Sequence, residues 1–321
     1  MAVGVSAKDK PATFNGRIEN HLKLNNDITI GVDLGGTRIK AVAMDTDGIV
    51  LHRLQKPTND GDDTIWKQAV ATIVMELQIK TNQKKFSIGI SAPGLPNDNN
   101  TAIAFMPGRM QGLENFNWAG FLHQPTYVLN DAVAAMMGEA RFGAAKSKKN
   151  VVMLTLGTGV GGAILIDGKP YQGAFNKAGH IGHMVIDDEG DCDVTGMPGS
   201  LEECMGNCTI EKRSKGKYTS TQQLIDAYKN GNADAKDIWL KSVRQLAIGL
   251  ASVTNILSPE VIVLGGGITQ AGSHLFDPLK EFMNRYEWRP GGNKTEIVKA
   301  TYGDMAGAIG AACFAMDAVN S

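Results

Sequence analysis

Residues 31–40, "GVDLGGTRIK", join two apolar segments through a pair of glycines and a threonine. The segments on either side, "ITIGVD" (28–33) and "IKAVAMD" (39–45), are rich in apolar and β-branched residues, so each predicts a strand. The turn sequence "DTDG" and a third segment, "IVLHRLQ", complete a predicted meander of three strands. The first bend of this meander is therefore built from glycine.

The same order of parts returns at residue 151. The stretch "VVMLTLGTGVGGAILIDGK" contains an apolar strand, a bend of glycine and threonine, a second apolar strand and an Asp-Gly turn. Self-similarity of this kind indicates an internal duplication of one supersecondary unit. The sequence therefore predicts an α/β protein with two lobes, each containing a mixed sheet, on either side of a central cleft.

The rest of the chain supplies the other elements of such lobes. Apolar residues at helical or strand spacing, with turn residues between them, set the boundaries. Helices are predicted at 64–79, 131–142, 220–230, 233–257 and 305–318, strands at 86–91, "TYVLN", "EVIVLG" and "EIVKAT", and a long loop at 92–112.

Charge and cysteine content restrict the partners and the compartment. The 321 residues include 32 Lys and Arg and 33 Asp and Glu, so no overall field attracts nucleic acid or an anionic membrane. Four cysteines in a chain of this length do not make a disulfide framework, and residues 1–26 contain no apolar run of signal-peptide or membrane-span length. We expect a cytoplasmic protein without nucleic-acid or membrane partners, in which residues 1–26 form an N-terminal arm or a short helix around "IENHLKL".

Three glycine-rich bends, at 34–37, 157–162 and 265–267, each follow an apolar strand. One such bend is as readily a simple turn, but backbone amides at glycine can approach an anion closely and threonine adds a hydroxyl donor. Neither the Walker nor the dinucleotide motif fits, because strands follow the first two bends. The bends predict a phosphate site formed by Gly35, Gly36, Thr37, Gly157, Thr158, Gly159, Gly266 and Gly267.

Two charged residues flank the first bend. Asp33 lies at its base, where a carboxylate can hold Mg²⁺ against nucleotide phosphates, directly or through water. Lys40 either reaches the same phosphates or faces solvent.

Five segments in order resemble the motifs of one family. "DLGGTRIK", "LNDAVAAMMGEARFG", "TLGTGVGGAI", "AGHIGHM" and "PGSLEE" resemble the ROK family of sugar kinases and sugar-responsive repressors, in the actin-like ATPase superfamily, over about residues 28–318. The resemblance implies two ribonuclease H-like lobes with ATP, Mg²⁺ and a sugar between them, and a homodimer is common in the family. We expect a small lobe of residues 27–129 and 305–321 and a large lobe of residues 130–304.

Asp131 is the candidate general base. It follows the predicted strand "TYVLN" at the end of a sheet, and a helix N-terminus favours an ionised carboxylate. On these residues alone, a role of Asn130 and Asp131 as caps of the helix is the favoured explanation. In ROK kinases the matching aspartate takes the proton of the sugar hydroxyl and the matching asparagine holds neighbouring hydroxyls, so the resemblance gives Asp131 and Asn130 these roles.

The second histidine of "GHIGHM" raises the question of a metal. In the family, this histidine and three cysteines of a Cys-x-Cys-Gly-x-x-Gly-Cys-Leu-Glu segment form a structural zinc site. Asp193, Thr195 and Ser200 stand in place of those cysteines here, and Cys192 lies one position away. We therefore expect no structural zinc, which leaves His183 to bind the sugar and requires other packing for the loop.

Further departures concern the sugar. His180 stands where the family's sugar kinases usually carry glutamate, and neutral imidazole both donates and accepts whereas a carboxylate only accepts. Glu202, in the Leu-Glu position, is retained and is expected to bind sugar. The segment "MPGRMQG" lacks the family's asparagine, which leaves Arg109 and Gln111 as candidate contacts, with a surface role for Arg109 the alternative.

The leading hypothesis is an ATP-dependent kinase that phosphorylates a primary hydroxyl, taken to be C6, of a hexose or hexose derivative. The sugar, and whether ATP or polyphosphate is the better donor, are left open. A repressor of the family carries a helix-turn-helix module before the first bend, and the 27 mostly polar residues there are too few to fold one. A sugar-binding sensor or regulator with weak or no catalysis is the alternative, because His180 departs from the kinases.

Overall fold

Two mixed β-sheets form the frame of the molecule, which a computed structural model describes for residues 28–59, 61–108 and 110–319. Each sheet has five strands, and a separate hairpin has two. In chain order the strands are β1 (Thr29–Leu34), β2 (Arg38–Met44), β3 (Val50–Pro57), β4 (Ser87–Ala92), β5 (Leu95–Pro96), β6 (Ile103–Phe105), β7 (Thr126–Asn130), β8 (Val151–Leu156), β9 (Val160–Ile166), β10 (Lys169–Pro170), β11 (Val261–Gly265) and β12 (Glu296–Lys299). The helices are α1 (Asp63–Thr81), α2 (Trp118–Leu122), α3 (Asp131–Arg141), α4 (Leu201–Met205), α5 (Ile210–Arg213), α6 (Thr221–Lys229), α7 (Ala233–Leu257), α8 (Ser273–Tyr286) and α9 (Ala306–Val319).

The two sheets repeat one topology. The first has the order β3-β2-β1-β4-β7, in which β1, β2 and β3 form an antiparallel meander and β4 and β7 run parallel to β1. The second has the order β10-β9-β8-β11-β12 with the corresponding directions. The duplicated meander and the two mixed sheets predicted from the sequence are confirmed.

The glycine bends lie at matching corners of the two sheets. Pairing of Leu34 with Ile39 closes the first meander around residues 35–38, and pairing of Leu156 with Val160 closes the second around residues 157–159. Strands β4 and β7 run parallel to β1 and end at the same end of the first sheet, and β11 runs parallel to β8 and ends at the same end of the second sheet. Side chains that follow these strands therefore gather at one end of each sheet.

Helices α3 and α9 form the layer between the sheets. Residues of α9 pack with Val42 and Met44 of the first sheet, whereas α3 packs with Val151 and Met153 of the second. The two helices contact each other so closely that a Cβ on Gly310 would overlap the carbonyl of Ala134. The small residues of α9 thus permit its position between two sheets.

Larger side chains fill the outer layers. Trp66 of α1 and Trp118 of α2 are fully buried against the first sheet, while Trp239 of α7 is buried against the second and donates a hydrogen bond to the carbonyl of His274, 2.8 Å away. No helix of the described residues is long and apolar enough to cross a membrane.

Some features depart from the predicted elements. Helix α8 was not predicted, and Pro278 within it is a residue that normally ends a helix. The predicted loop at 92–112 contains the short hairpin of β5 and β6, which pairs Leu95 with Phe105. The expected arm of residues 1–26 and Arg109 lie outside the described residues, and the lobe boundaries stay a prediction.

Candidate active site

A cavity of about 310 Å³ opens between the carboxyl ends of the two sheets. It brings together side chains and bends that are far apart in sequence. Among the predicted site residues, its lining includes Asp33, Gly35, Gly36, Lys40, Asp131 and Gly266.

Asp33 contributes a half-buried carboxylate to this cavity. Its Oδ1 accepts a hydrogen bond from the Ser91 hydroxyl at 2.7 Å. Burial raises the pKa of the Asp33 carboxyl to about 6; the Ser91 hydrogen bond and Lys40 lower it, whereas Asp131 and Asp304 raise it further. The negative charge of Asp33 is therefore poorly compensated by the protein alone.

The carboxylates of Asp33, Asp131 and Asp304 suit a magnesium ion better than a cation that needs all its ligands from the protein. Mg²⁺ prefers oxygen ligands and is commonly held by one or two carboxylates, with water and phosphate completing the octahedron. Within the described residues no three His, Cys, Asp or Glu side chains converge closely enough to form a complete metal site. A cation at Asp33 would relieve the repulsion among the acidic groups of the cavity.

Lys40 faces the cavity and is tethered there. Its Nζ donates to the backbone carbonyl of Asp304 at 2.8 Å and lies 3.4 Å from the Asp304 carboxylate, and its side chain is only 19% exposed. Of the two positions considered for Lys40, the structure has it lining the cavity and not extended into solvent.

The first bend is held from behind by Thr58, a fully buried residue at the end of β3. The Thr58 hydroxyl donates to the Gly35 carbonyl at 2.5 Å, and the Thr58 amide donates to the Thr37 carbonyl at 3.1 Å. The Gly35 amide bonds to the Arg38 carbonyl at 3.2 Å. Among the described residues the amides of Gly36 and Thr37 find no acceptor, so they remain able to bind a ligand.

The second bend is held by residues in and just after helix α4. The carbonyls of Gly157 and Thr158 accept from the amides of Asn207 at 3.0 Å and Cys208 at 2.8 Å. Glu202 Oε2 accepts a hydrogen bond from the Val160 amide at 2.9 Å. The same oxygen lies so close to Gly159 that a Cβ on this glycine would overlap it. The amides of Thr158 and Gly159 donate to no other described residue.

The third bend depends on one glycine for its conformation. Gly266 has φ 85°, and a Cβ on it would overlap the carbonyl of Leu156 at the end of β8. Gly267 starts a short 3₁₀ helix, Gly267–Ala271, and a Cβ there would meet nothing within 4 Å. Gly266 is therefore explained by the turn that it forms. Gly267 has free space beside its α-carbon.

Asn130 and Asp131 do cap helix α3. Asn130 Oδ1 accepts from the amides of Ala132 at 3.0 Å and Val133 at 3.4 Å, and Asn130 Nδ2 donates to the carbonyl of Gly94 at 3.1 Å. Asp131 Oδ1 accepts from the Ala132 amide at 2.8 Å. Because Asp131 also lines the cavity, the capping role and the proposed catalytic role are compatible.

The histidine segment packs on the first residues of β9. The 3₁₀ helix Ile181–His183 approaches so closely that a Cβ on Gly182 would overlap the Val160 carbonyl. The rings of His180 and His183 are nearly parallel, with centroids 6.3 Å apart. Burial, with a smaller effect of His183, lowers the pKa of His180, so its imidazole is neutral at pH 7.

The start of β9 links the segments that carry five of the candidate sugar residues. Glu202 contacts the bend at Gly159, the histidine segment lies on Val160, and the Ala132 side chain at the beginning of α3 packs over Gly161. The residues Asn130, Asp131, His180, His183 and Glu202 therefore lie on segments that meet at one place, although only Asp131 of this group lines the cavity between the sheets.

The residues at the family's zinc position do not fit zinc. His183 Nδ1 lies 2.8 Å from Asp193 Oδ2, so the two conventional zinc-binding groups bond to each other. Thr195 and Ser200 add hydroxyls and no thiolate, and Cys192 is exposed to solvent.

Several residues of the site were missed from sequence. Ser91 and Thr58 act through hydrogen bonds that depend on the tertiary fold. Asp304 lies in the short 3₁₀ helix Gly303–Met305 between β12 and α9, so the reasoning from a position after a strand that found Asp131 also applies to it. Gln111 is exposed and lines a different cavity, beside Met106 and Glu114, so its sugar contact stays a prediction.

Comparison with known proteins gives the family and the fold. The ROK family model matches residues 29–318. A glucokinase from Halalkalibacterium halodurans is 31% identical over 312 residues, covering 88% of this chain and 92% of the relative. An N-acetylmannosamine kinase from Vibrio cholerae is 32% identical over 255 residues, with coverage of 77% and 86%, and a xylose repressor from Bacillus spizizenii is 27% identical over 301 residues, with coverage of 88% and 75%.

Solved structures agree with the sequence relatives. A ROK hexokinase from Thermus thermophilus has a TM-score of 0.81 at 27% identity and covers 91% of this chain and 99% of its own. A ROK family glucokinase from Streptomyces griseus, in complex with glucose and AMPPNP, has a TM-score of 0.75 at 26% identity, with coverage of 90% and 99%. The expected α/β fold, with two ribonuclease H-like lobes of the actin-like ATPase type, is confirmed.

Proposed function

Because this chain belongs to the ROK family, we propose that it is a sugar kinase whose reaction takes place in the cavity between the two sheets. Glucokinase relatives, and a shared fold with a glucokinase that binds glucose and AMPPNP, support an ATP-dependent carbohydrate kinase. The observation that carries the proposal is the convergence of Asp33, Lys40 and Asp131 with glycines of the first and third bends on one cavity.

The nucleotide phosphates bind at the bends. The amides of Gly36, Thr37, Thr158 and Gly159 have no acceptor among the described residues, so they can donate to phosphate oxygens without breaking a bond in the protein. Lys40 adds a positive charge, and Gly266 and Gly267 allow the nucleotide to approach the end of β11.

Asp33 would hold Mg²⁺, directly or through water. When bound, the ion supplies neutralisation of charge on the transferring phosphoryl group. The Ser91 hydroxyl fixes the orientation of the Asp33 carboxylate.

The acceptor is a primary hydroxyl, which we take to be C6, of a hexose or hexose derivative. Asp131 accepts the proton as the hydroxyl oxygen forms its bond to the γ-phosphorus and the bond from that phosphorus to the bridging oxygen of ADP breaks. Asn130 has one N–H left for a neighbouring hydroxyl after its bond to Gly94. Glu202 keeps Oε1 for the sugar while Oε2 holds the bend.

Recognition of the anomeric end falls to the histidines. Neutral His180 offers one donor and one acceptor, where a carboxylate would offer acceptors only. The relatives include both a glucokinase and an N-acetylmannosamine kinase, so the family accommodates different substituents near that end.

A sugar-responsive regulator is the second candidate. The similarity to a xylose repressor and the presence of His180 favour it. Such a protein would bind sugar at the same residues and release little ADP.

One assay separates the two functions. Purified protein is incubated with ATP, Mg²⁺ and a panel of hexoses and amino sugars, and ADP release is followed while sugar binding is measured by calorimetry. A kinase releases ADP with at least one sugar of the panel well above the rate without sugar. Sugar binding without ADP release would favour the regulator, and neither signal would contradict both.

A further inference from the structure

Asp193 is a buried carboxylate at the centre of the loop between the histidines and α4. Its side chain is fully buried. Its Oδ1 accepts from the Thr195 amide at 2.8 Å, the Thr195 hydroxyl at 2.7 Å and the Met197 amide at 3.1 Å. Three donors to one oxygen fix the turn of residues 193–197.

The other oxygen of Asp193 joins this turn to the candidate sugar site. His183 Nδ1 lies 2.8 Å from Asp193 Oδ2, and the Ser200 side chain also hydrogen-bonds to the carboxylate. Ser200 is the N-cap of α4, where its hydroxyl oxygen accepts from the Glu203 amide at 3.3 Å. Asp193 thus connects the histidine segment with the helix that carries Glu202.

The charge of Asp193 determines which nitrogen of His183 holds the proton. Although burial alone would raise it, the hydrogen bonds from Thr195, His183 and Ser200 hold the pKa of the Asp193 carboxyl well below its usual range. An ionised carboxylate can only accept, so His183 must donate from Nδ1. In the neutral ring, Nε2 is then an acceptor.

We propose that Asp193 is a positioning residue that fixes His183 as its Nδ1–H tautomer and directs Nε2, as an acceptor, toward a sugar hydroxyl. The hydrogen-bonded group of His183, Asp193, Thr195 and Ser200 orders this loop by itself, without a metal ion. The sugar part of this inference rests on the proposed function. The tautomer and the metal-free loop do not.

The tautomer is measured first in the unaltered protein, by ¹⁵N NMR of histidine side chains, with His183→Gln used to assign the signal. We expect the pattern of an Nδ1–H ring for His183 in the absence of any ligand. An Nε2–H pattern overturns the proposal, whatever the protein catalyses. Elemental analysis is expected to give far less than one zinc per chain, and stoichiometric zinc overturns it as well.

Asp193→Asn is the decisive variant, and Asp191→Asn is its matched control. Asp191 lies in the same loop, but its carboxylate is exposed and pairs with Lys212 at 2.9 Å. In Asp193→Asn the single side-chain oxygen satisfies the donors of Thr195 and Met197, so the amide NH₂ faces His183 and favours the Nε2–H tautomer. Asp191→Asn should keep the tautomer of the unaltered protein, and an unchanged tautomer in both variants contradicts the proposal.

Kinetics test the link to the sugar. We expect Asp193→Asn to raise the KM or dissociation constant for sugar by roughly tenfold and to leave the KM for ATP unchanged. The reason is that Nε2 of His183 would then present a donor to the sugar hydroxyl in place of an acceptor. Equal effects on sugar and ATP would indicate a merely structural role and overturn the positioning claim. If the unaltered protein lacks kinase activity, the proposed function fails, whereas the NMR result and sugar calorimetry still decide the role of Asp193. The NMR result on the unaltered protein also decides it if the variant does not fold.

Discussion

Asp131 combines a structural contact with the proposed role of general base. It accepts a hydrogen bond from the Ala132 amide at the start of α3 and lines the cavity. Asparagine can retain the cap but cannot take a proton, so Asp131→Asn should keep the melting temperature and sugar affinity. We expect kcat to fall by about 10²–10⁴-fold. ADP release, calorimetry and a melting curve measure the three quantities, and a kcat near that of the unaltered enzyme would remove Asp131 as the base.

Asp33 should show a conflict between stability and activity. A folded-state pKa raised to about 6 means that the ionised carboxylate destabilises the fold above that pH, and that this cost disappears as the pH falls toward the ordinary value. Asp33→Asn should therefore raise the melting temperature of the Mg²⁺-free protein at pH 7.5, by about 2–4 °C, while activity is lost. A lower melting temperature would mean that the hydrogen bond to Ser91 outweighs the electrostatic cost.

His180 carries the prediction on sugar choice. Glutamate at this position replaces a donor and an acceptor by acceptors only, so the proposed hydrogen bonds of residue 180 to the sugar must change. His180→Glu should shift the ratio of kcat/KM for glucose to that for N-acetylmannosamine toward glucose, by roughly tenfold or more. Phe175→Ala, at an exposed aromatic side chain before the histidine segment, is a matched control and should leave the ratio unchanged. An unaltered ratio in His180→Glu would separate this residue from specificity.

At the scale of single residues, sequence identified groups whose role follows from their own type and place. Asp33 lies near the end of β1 and Asp131 directly follows β7, and strand ends meet at a cleft. Thr58 and Ser91 could not be found this way, because their function is a hydrogen bond to a segment brought near only by folding. The substitutions at Asp193, Thr195 and Ser200 indicated that no thiolate remained, but the carboxylate at the centre of their network became visible only in the structure.

At the scale of elements, the two glycines after β11 make different demands. Gly266 has positive φ and no space for a Cβ, whereas Gly267 has neither restriction. Gly266→Ala should lower the melting temperature by several degrees, since strain and overlap with backbone cost about 1–3 kcal/mol. Gly267→Ala should leave it within about a degree.

The same pair tests the nucleotide site. If ATP covers the end of β11, the methyl group of Gly267→Ala should raise the KM for ATP without any loss of stability. An unchanged KM for ATP would show that the nucleotide does not approach Gly267.

The sequence predicted an element well where its apolar residues follow one clear helical or strand periodicity. The helix predicted at 233–257 has those bounds as α7, because its apolar stripe and Asn232 cap are both local signals. Helix α8 was missed because it contains Pro278 and follows a glycine, and both residue types are typical of loops. The hairpin of β5 and β6 is too short to carry a strand pattern of its own.

At the scale of the whole molecule, α3 and α9 are the contact on which any movement of the two sheets must depend. Gly310 lies against the Ala134 carbonyl without space for a side chain, so this contact is tight and is a natural pivot. The amides proposed to bind phosphate come from bends on both sheets, and the proposed sugar residues lie on segments that meet at the start of β9. ATP and sugar together should therefore draw the sheets toward each other.

Asp131→Asn provides a way to observe that closure, because it should bind both substrates while turning over slowly. We expect its radius of gyration by small-angle scattering to decrease when ATP, Mg²⁺ and sugar are all present, and to change less with either substrate alone. The physical reason is that ATP is proposed to contact the first and second bends, while the sugar adds contacts with Asp131 and the histidine segment, so the two ligands together make more contacts across the cavity than either alone. An equal radius in all four states would mean that the cavity is already in its catalytic form, and that the bends need no movement to reach the phosphates.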